Sequence, residues 1–240
     1  MSDNADRRFA VLIDADNVSE KYIKSIMDEL NNKGTITYRR IYGDWTKPTL
    51  AKWKSSLLGH AITPMQQYGY TTGKNSTDSA LIIDAMDILY SDNVDGFCIV
   101  SSDSDFTRLA TRLRESGMYV IGMGEKKTPQ PFIHACTEFK YLEILDPGEN
   151  AFVASDELTA EKIKTVIVQI INEVSDEDGW APLSHVGNIL AKRYPSFDVR
   201  HFGYLKLMPF IQSMGEFEIR SDKSSATKNL KVVYIRTKPE

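Results

Sequence analysis

The sequence predicts an α/β domain with a parallel sheet, followed by a small domain with the outline of a winged helix. In the first part of the chain, short apolar runs alternate with helical patterns, which is typical of parallel α/β architecture. The segment Pro147-Gly148-Glu149-Asn150 interrupts this alternation, and three helical patterns and two short strands follow it. We therefore expect an α/β domain at residues 1–148, a linker at 149–157 and a second domain at 158–240.

The first half of the α/β domain is predicted from residue type and spacing. An apolar run predicts a buried strand at 9–13, and Ser19 is a candidate N-cap for a helix that continues until Gly34. β-Branched and aromatic residues then predict a strand at 35–42. A proline at an early helical position predicts a helix at 48–58, and a short strand follows at 62–66.

The second half of this domain contains its clearest helix, at 76–90, where apolar residues form a single stripe. After this helix, a four-residue apolar run predicts the next strand. Gly117 occupies a helix-stop position and separates the following helix from the strand after it. These elements are a strand at 97–100, a helix at 106–114, a strand at 119–123 and a final strand at 139–145.

The second domain is predicted to be mainly helical. Apolar residues at helical spacing predict a helix at 163–174, a second at 183–194 and a third at 199–214 that is interrupted near Gly203 or Pro209. Two short strands, at 217–219 and 232–235, enclose a polar loop. Three helices followed by a β-hairpin form the outline of a winged helix.

Composition and charge narrow the functional classes. No apolar run approaches the roughly 18 residues of a membrane span, and the polar N-terminus gives no secretory signal. Two cysteines without zinc-type Cys/His spacing indicate a reducing compartment, so we expect a cytoplasmic protein with no membrane partner. The net charge is −4, but residues 180–240 carry ten basic and five acidic side chains, which suits a polyanion-binding module.

Acidic residues gather in three short motifs. Asp14 and Asp16 follow the first predicted strand, Asp103 and Asp105 follow a later one, and Asp78 lies in the first turn of the clearest helix. Each has a structural explanation in a turn or a helix cap. Together, however, they would meet at the carboxyl edge of a parallel sheet, where their mutual repulsion requires a cation. Hard carboxylate ligands in this number predict a Mg²⁺ or Mn²⁺ site.

The residues around these acids carry a family resemblance. The motifs are Ile13-Asp14-Ala15-Asp16-Asn17, Lys74-Asn75-Ser76-Thr77-Asp78-Ser79-Ala80-Leu81 with Asp84, and Val100-Ser101-Ser102-Asp103-Ser104-Asp105-Phe106. In this order they resemble the NYN branch of the PIN-like nuclease superfamily, in its bacterial LabA-like form, over roughly residues 7–146. The resemblance implies a Rossmann-like sheet that binds Mg²⁺ or Mn²⁺ and cuts RNA.

The same resemblance assigns roles to residues. Asp14, Asp78, Asp103 and Asp105 would be the catalytic, metal-binding acids. Asn17 would be a polar accessory to them, and Ser102 would position a carboxylate or a phosphate oxygen. The sequence adds further accessory candidates: Asp16, which belongs to the first acidic motif, Asp84, which flanks the apolar stripe of its helix, and Lys74, which precedes that helix and could pair with a phosphate.

The second domain resembles the OST-HTH domain, also called LOTUS, a winged-helix module associated with RNA. The supporting segments are Asp178-Gly179-Trp180-Ala181-Pro182-Leu183, Tyr194-Pro195-Ser196-Phe197, Phe202-Gly203-Tyr204-Leu205-Lys206-Leu207 and Val232-Val233-Tyr234-Ile235. Its basic residues are candidate phosphate contacts: Lys192, Arg193, Arg200, Lys206, Lys223 and Lys228. Trp180 and Tyr204 are candidates both for base stacking and for the core. The alternative is a domain that contacts only a protein partner.

These observations predict a metal-dependent ribonuclease whose second domain recruits RNA, with Arg108 near the acids as a further contact to the RNA backbone. One alternative is a non-catalytic adaptor that binds RNA or protein. Another is a phosphatase of the haloacid-dehalogenase type, because Asp14-Ala15-Asp16 resembles its nucleophile and acid, although Val18 stands where that chemistry usually has Thr. The class of RNA, a DNA substrate and the oligomeric state stay open.

Overall fold

The computed structural model describes residues 7–68, 76–145, 159–223 and 231–238. The chain divides into two compact units, Met1–Gly148 and Glu149–Glu240. Within the described ranges, the first unit is an α/β layer structure and the second combines helices with a small sheet. The helices in these ranges include none that is both long enough and apolar enough to cross a membrane.

The first unit is built on a parallel six-stranded sheet with the strand order β3-β2-β1-β4-β5-β6. Its strands are β1 (Arg8–Asp14), β2 (Thr35–Gly43), β3 (Thr63–Gln66), β4 (Gly96–Val100), β5 (Tyr119–Gly124) and β6 (Glu138–Tyr141). The chain moves outward in one direction from β1 to β3 and in the other from β4 to β6. The order therefore reverses between β1 and β4, which in open α/β sheets is where ligands bind.

Helices cover both faces of this sheet. They are α1 (Ile23–Asn31), α2 (Trp53–Gly59), α3 (Ser76–Tyr90), α4 (Thr107–Glu115), α5 (Gln130–Ala135) and α6 (Leu142–Leu145). One apolar core contains buried residues of α1, α2 and α6, and the other contains buried residues of α3, α4 and α5. The fold is thus the Rossmann-like arrangement that the sequence predicts.

The alternation of side chains along the strands decides which way the acidic loops face. Ala10 and Leu12 of β1, and Phe97 and Ile99 of β4, point into the core beneath α3 and α4. Because successive side chains of a strand point to opposite faces, Asp14 and Ser101 continue these two rows onto the same face. The period of two therefore directs both side chains toward the helix that carries Asp78.

Four details of the first unit correct the sequence prediction. The strand predicted at 139–145 ends at Tyr141, and its remaining residues form α6. α5 was not predicted, because the prolines around it obscure its short pattern. The helices predicted from Ser19 and from 48 each begin as one 3-10 turn, at Glu20–Tyr22 and Pro48–Leu50, before the α-helix forms.

In its described residues, the second unit has three α-helices and a three-stranded antiparallel sheet. Its elements are α7 (Ala160–Val174), β7 (Ala181–Pro182), α8 (Leu183–Arg193), α9 (Leu207–Ser213), β8 (Phe217–Lys223) and β9 (Lys231–Thr237). The sheet order is β7-β9-β8, and the core combines apolar residues of all three helices with Phe217 and Ile235. This is the predicted winged-helix outline, with the short strand β7 as an addition.

The interruption predicted in the third helix lies at Gly203. A 3-10 turn, Val199–Phe202, ends there because Gly203 adopts a left-handed conformation with φ of 79° that costs glycine little. Pro209 does not interrupt α9, because it occupies the first turn, where a proline removes no hydrogen bond that the helix needs.

Candidate functional site

Asp14 ends β1 in a fully buried position, with 0% of its surface exposed. Its Oδ1 accepts the backbone N–H of Asp16 at 3.1 Å. Its Oδ2 accepts the side-chain amide of Asn17 at 2.7 Å and the hydroxyl of Ser101 at 2.8 Å. Burial raises the pKa of Asp14, and these hydrogen bonds oppose that rise. Both oxygens are therefore engaged by the protein itself.

Ser101 joins the first acidic motif to the third. Besides donating to Asp14, its Oγ accepts the backbone N–H of Asp103 at 3.1 Å. Asp103 in turn accepts the N–H of Asp105 at 2.9 Å and so caps the 3-10 turn Ser104–Phe106. The hydroxyl of Ser102 accepts the N–H of Glu125 at 2.9 Å and so contacts the loop after β5.

Asp78 meets the third motif from the first turn of α3. The carboxylates of Asp78, Asp103 and Asp105 each place one oxygen within 4.8 Å of the others. Burial, and after it the negative charges of Asp14, Asp103, Asp105 and Asp16 in that order, together raise the pKa of Asp78 to about 6. The site is thus an electrostatically coupled group of acids at the point where the strand order reverses.

The three grouped carboxylates fit a hard divalent cation. Opposite ligands of Mg²⁺ lie about 4.2 Å apart, so small side-chain movements would bring oxygens with the observed separation into its coordination sphere. Among the residues that the structure describes, this is the group of His, Cys, Asp and Glu side chains with metal-binding spacing. It contains three of the four predicted ligands. Asp14 lies outside the group, although it is close enough to raise the pKa of Asp78.

The predicted accessory residues separate into different environments. Asn17 contacts Asp14 directly. Asp16 accepts a hydrogen bond from the ammonium of Lys47 at 3.3 Å and lies 3.4 Å from the hydroxyl of Thr77, which connects the β1 loop to α3. Asp84 binds Arg40 and the hydroxyl of Tyr42 instead of facing the grouped acids. Lys74 lies outside the described residues.

Both carboxylate oxygens of Asp84 therefore contact the sheet. Arg40 and Tyr42 belong to β2, and their contacts fix α3 against the sheet. Burial raises the pKa of Tyr42, and the hydrogen bond to Asp84 raises it further, so this phenol stays protonated. Asp84 is thus a contact between a helix and the sheet, and of the grouped carboxylates only Asp78 lies on α3.

Two side chains at the site were not singled out from the sequence. Ser101 follows β4 directly, and the alternation of the strand is the signal that could have placed it beside Asp14. Lys47 follows β2 and reaches Asp16 only because β2 is the neighbour of β1 in the sheet. No local pattern contains that information. Arg108 is exposed in the first turn of α4.

The phosphatase alternative requires a nucleophile that reaches phosphorus. Asp14 would have that role, yet it is fully buried and three donors occupy its oxygens. The accessible carboxylates are those of Asp16 and Asp105, which are exposed, and of Asp78 and Asp103, which are partly exposed. The geometry of Asp14 therefore disfavours phosphatase chemistry.

The basic residues predicted to contact RNA in the second unit are not equivalent. Lys192 and Lys206 are exposed. Arg193 forms an ion pair with Glu173 at 2.5 Å, and the guanidinium of Arg200 binds both carboxylate oxygens of the buried Asp198. The side chain of Lys223 and all of Lys228 lie outside the described part. Tyr204 packs on Phe210 with ring centroids 5.5 Å apart, next to the core.

Comparison with solved structures finds several proteins with a similar fold or segment. The chain is similar to a protein of unknown function from Vibrio parahaemolyticus, with 20% identity, 59% of this chain and 96% of that chain covered, and a TM-score of 0.49. It is also similar to an uncharacterized protein from Nitrosomonas europaea, with 27% identity, coverage of 40% and 87%, and a TM-score of 0.31. A segment of a protein from Chromobacterium violaceum matches at 24% identity, with coverage of 37% and 87% and a TM-score of 0.26. No curated protein matches the chain.

Family models give a more direct assignment. The model of the NYN domain matches residues 8–143, which contain the six-stranded sheet and the acids Asp14, Asp16, Asp78, Asp103 and Asp105. The model of the OST-HTH/LOTUS domain matches residues 159–228, in the second unit. The chain therefore belongs to the NYN domain family of the PIN-like nuclease superfamily, and an OST-HTH/LOTUS domain follows its NYN domain.

Proposed function

We propose that the protein is a metal-dependent ribonuclease that hydrolyses phosphodiester bonds beside Asp78, Asp103 and Asp105. The observation that carries the proposal is the convergence of these three carboxylates at the reversal of strand order in an NYN domain. The OST-HTH/LOTUS domain would bring RNA to this site. We also propose that the protein acts in the cytoplasm.

Asp78, Asp103 and Asp105 would hold Mg²⁺ or Mn²⁺. An ion held there would supply a water of lowered pKa and would stabilise negative charge on the phosphate. Asp103 is positioned for this role by its N–H bond to Ser101, and Asp105 by the cap that Asp103 forms on its backbone. Asp14 would contribute indirectly, because it accepts the hydroxyl of Ser101 and adds negative charge near Asp78.

Cations around the acids would hold the RNA backbone, which the acids themselves repel. Lys47 approaches from the β2 side, where it binds Asp16. Lys127 lies on the β5 side, where it binds Glu125, and Arg108 is exposed on α4. Exposed ion pairs of this kind contribute little stability, so Lys47 and Lys127 can exchange their carboxylate partners for phosphates at low cost.

The proposal is tested by cleavage of end-labelled RNA, both single-stranded and hairpin, with Mn²⁺, Mg²⁺ or EDTA. We expect wild type to cut with a metal and not with EDTA, and Asp103→Asn to lose at least about 100-fold in rate, since catalysis by a positioned metal is worth several kcal/mol. Asp87→Asn is the matched control, because Asp87 is exposed on α3 and is not among the grouped acids. Its rate should equal that of wild type.

Two results would contradict the proposal. Metal-dependent cleavage that persists in Asp78→Asn and in Asp103→Asn would assign the activity to another site or to a contaminant. RNA that is bound and stays intact with every metal would favour the adaptor alternative, and the acids would then form a structural ion site.

A further inference from the structure

The sheet of the second unit has one face in the core and one face outside it. Ile219, Val233 and Ile235 pack on the core. Because side chains alternate along a strand, Arg220 of β8 and Tyr234 of β9 point to the opposite face. Glu218 and Arg236 also occupy this outer face, where Arg236 is paired with Glu218 and Tyr234 with Arg220 across the two strands.

Trp180 completes this outer face from the residue before β7. The guanidinium carbon of Arg220 lies 4.6 Å from the centre of its ring, and that of Arg236 lies 4.7 Å away. Arg220 also lies 5.4 Å from the centre of the Tyr234 ring. We call Trp180, Arg220, Tyr234 and Arg236 the aromatic–arginine patch.

A tight turn holds Trp180 in place. The carboxylate of Asp176 accepts the N–H of Trp180 at 2.7 Å and that of Asp178 at 3.1 Å. The N–H of Asp176 donates to the carbonyl of Trp180 at 2.9 Å, and Gly179 supplies the left-handed residue of the turn with φ of 78°. The indole is therefore already ordered, and binding a ligand would cost little of its conformational freedom.

Trp180 and Tyr234 are not part of the apolar core of the second unit. The rings of Phe202, Tyr204 and Phe210 pack on one another in the core region. Trp180 and Tyr234 are instead partly exposed on the outer face, with charged guanidinium groups beside them. Large aromatic surfaces that arginines flank are the kind of surface on which nucleic-acid bases stack.

The charges of the patch suit a polyanion. Arg236 forms an ion pair with Glu218 at 2.6 Å. Arg220 is exposed, and an arginine keeps its charge at every physiological pH. A cleft of about 290 Å³ opens beside Arg236 and Gly179, between the end of α7 and β9.

We infer that the aromatic–arginine patch binds unpaired bases of single-stranded RNA by stacking, with Arg220 as a contact to the backbone phosphate. The inference rests on the proposed function and adds to it the place where the second domain contacts RNA. Stacking requires a base whose face is free, so duplex RNA would bind the patch poorly. An acidic peptide could use the two arginines but would leave the rings without a role.

The test measures binding of a fluorescein-labelled single-stranded RNA to the full-length protein by anisotropy, with EDTA present to prevent cleavage. We expect Trp180→Leu to weaken binding by about 5- to 150-fold, the range that corresponds to the loss of one stacked base. Arg220→Gln removes the contact to the phosphate and should weaken binding by about 10- to 150-fold, the range for a hydrogen bond to a charged group. Trp180→Phe should stay within about threefold of wild type, because it keeps an aromatic ring. Lys164→Gln is the charge-matched control: it removes a positive charge that is paired with Glu216, outside the patch.

Folding is checked by thermal unfolding of each variant, and Arg220→Gln is the decisive one because its side chain is exposed. If Arg220→Gln and Trp180→Leu both bound RNA as tightly as wild type, the inference would be overturned, but the proposal that the second domain recruits RNA would stand. If Trp180→Leu weakened the binding of single-stranded and of duplex RNA equally, stacking would be overturned, because the loss would then come from phosphate contacts alone. If wild type bound no RNA, both the inference and the proposed recruitment of RNA would be overturned. The cleavage assay would still test the nuclease activity separately.

Discussion

Asp78 has its pKa raised to about 6 by burial and by the surrounding acids. Because this pKa lies above the ordinary value of 3.8, the group favours the folded state below about pH 4 and loses that contribution as the pH rises through about 6. We therefore expect metal-free Asp78→Asn to unfold at a higher temperature than wild type near pH 8, and at the same temperature near pH 4. Solvent screening of this partly exposed group limits the expected gain to about 1 kcal/mol.

The measurement is thermal unfolding in EDTA across this pH range. Asp87→Asn, on the exposed side of the same helix, should follow wild type at every pH. A lower unfolding temperature for Asp78→Asn near pH 8 would mean that the repulsion among the acids is already relieved without a metal.

Ser101 has two hydrogen bonds that replacement by alanine would remove. Asp14 would lose a donor in a fully buried position, and the N–H of Asp103 would lose its acceptor. We expect Ser101→Ala to lower the free energy of unfolding by about 1–3 kcal/mol in urea, the usual cost of an unsatisfied buried polar group. Ser104→Ala, in the same loop but exposed, is the control. A loss below about 0.5 kcal/mol for Ser101→Ala would show that water replaces the hydroxyl.

Residue patterns predict which acids lie near one another, but they do not predict that Asp14 lies outside the group formed by Asp78, Asp103 and Asp105. Asp78, Asp103 and Asp105 are recognised because acids at strand ends and helix starts are unusual together. The withdrawal of Asp14 from that group depends on donors from Asn17 and Ser101, and its depth depends on the packing around β1. Such contacts between distant residues leave no local signal, and the same reason hides Lys47.

Elements with a strong period are predicted almost to the residue, and short irregular ones are not. The apolar stripe of α3 predicts Ser76–Tyr90 as the structure has it. The segment after β6 continues its apolar run into α6, so composition cannot distinguish the end of the strand from the start of a helix. α5 has only six residues, with Pro129 before it and Pro131 in its first turn, and these are too few for a helical period to appear.

Gly124, at the end of β5, supports the third acidic loop from below. A Cβ at this position would lie 2.6 Å from the carbonyl oxygen of Ser101 and 2.5 Å from the hydroxyl oxygen of Thr128. We expect Gly124→Ala to destabilise the protein by about 1–3 kcal/mol and to weaken Mn²⁺ binding, because the backbone that positions Asp103 must move. Isothermal titration with Mn²⁺ measures the second effect.

Gly117→Ala is the control for this loop. Gly117 also has a specific backbone role, with φ of 82°, but an added Cβ meets nothing within 4 Å. It should therefore lower stability without changing the affinity for Mn²⁺. Weaker binding in both variants would indicate a general loss of stability, and unchanged binding in Gly124→Ala would show that the loop tolerates the shift.

At the scale of the whole molecule, the grouped carboxylates of Asp78, Asp103 and Asp105 belong to one unit and the aromatic–arginine patch to the other. A ligand that binds only the folded state stabilises it by about 2.7 kcal/mol at one hundred times its dissociation constant. We expect Mn²⁺ to raise the unfolding temperature of the first unit and to leave that of the second within about 1 °C. Differential scanning calorimetry of wild type and Asp103→Asn measures this, and a shift of both transitions in wild type would indicate that the units unfold together.

The placement of Asp78 on α3, opposite two acids of the β4 loop, has a consequence for local opening. β1 and β4 lie inside the sheet with neighbours on both sides, so their amides should exchange with solvent only when the unit unfolds. A helix on the face of a sheet can detach at a lower free energy. An ion shared by Asp78, Asp103 and Asp105 would act as a clasp between α3 and the sheet, and amide exchange in the first turns of α3 should then slow far more than exchange in β1 when metal is added.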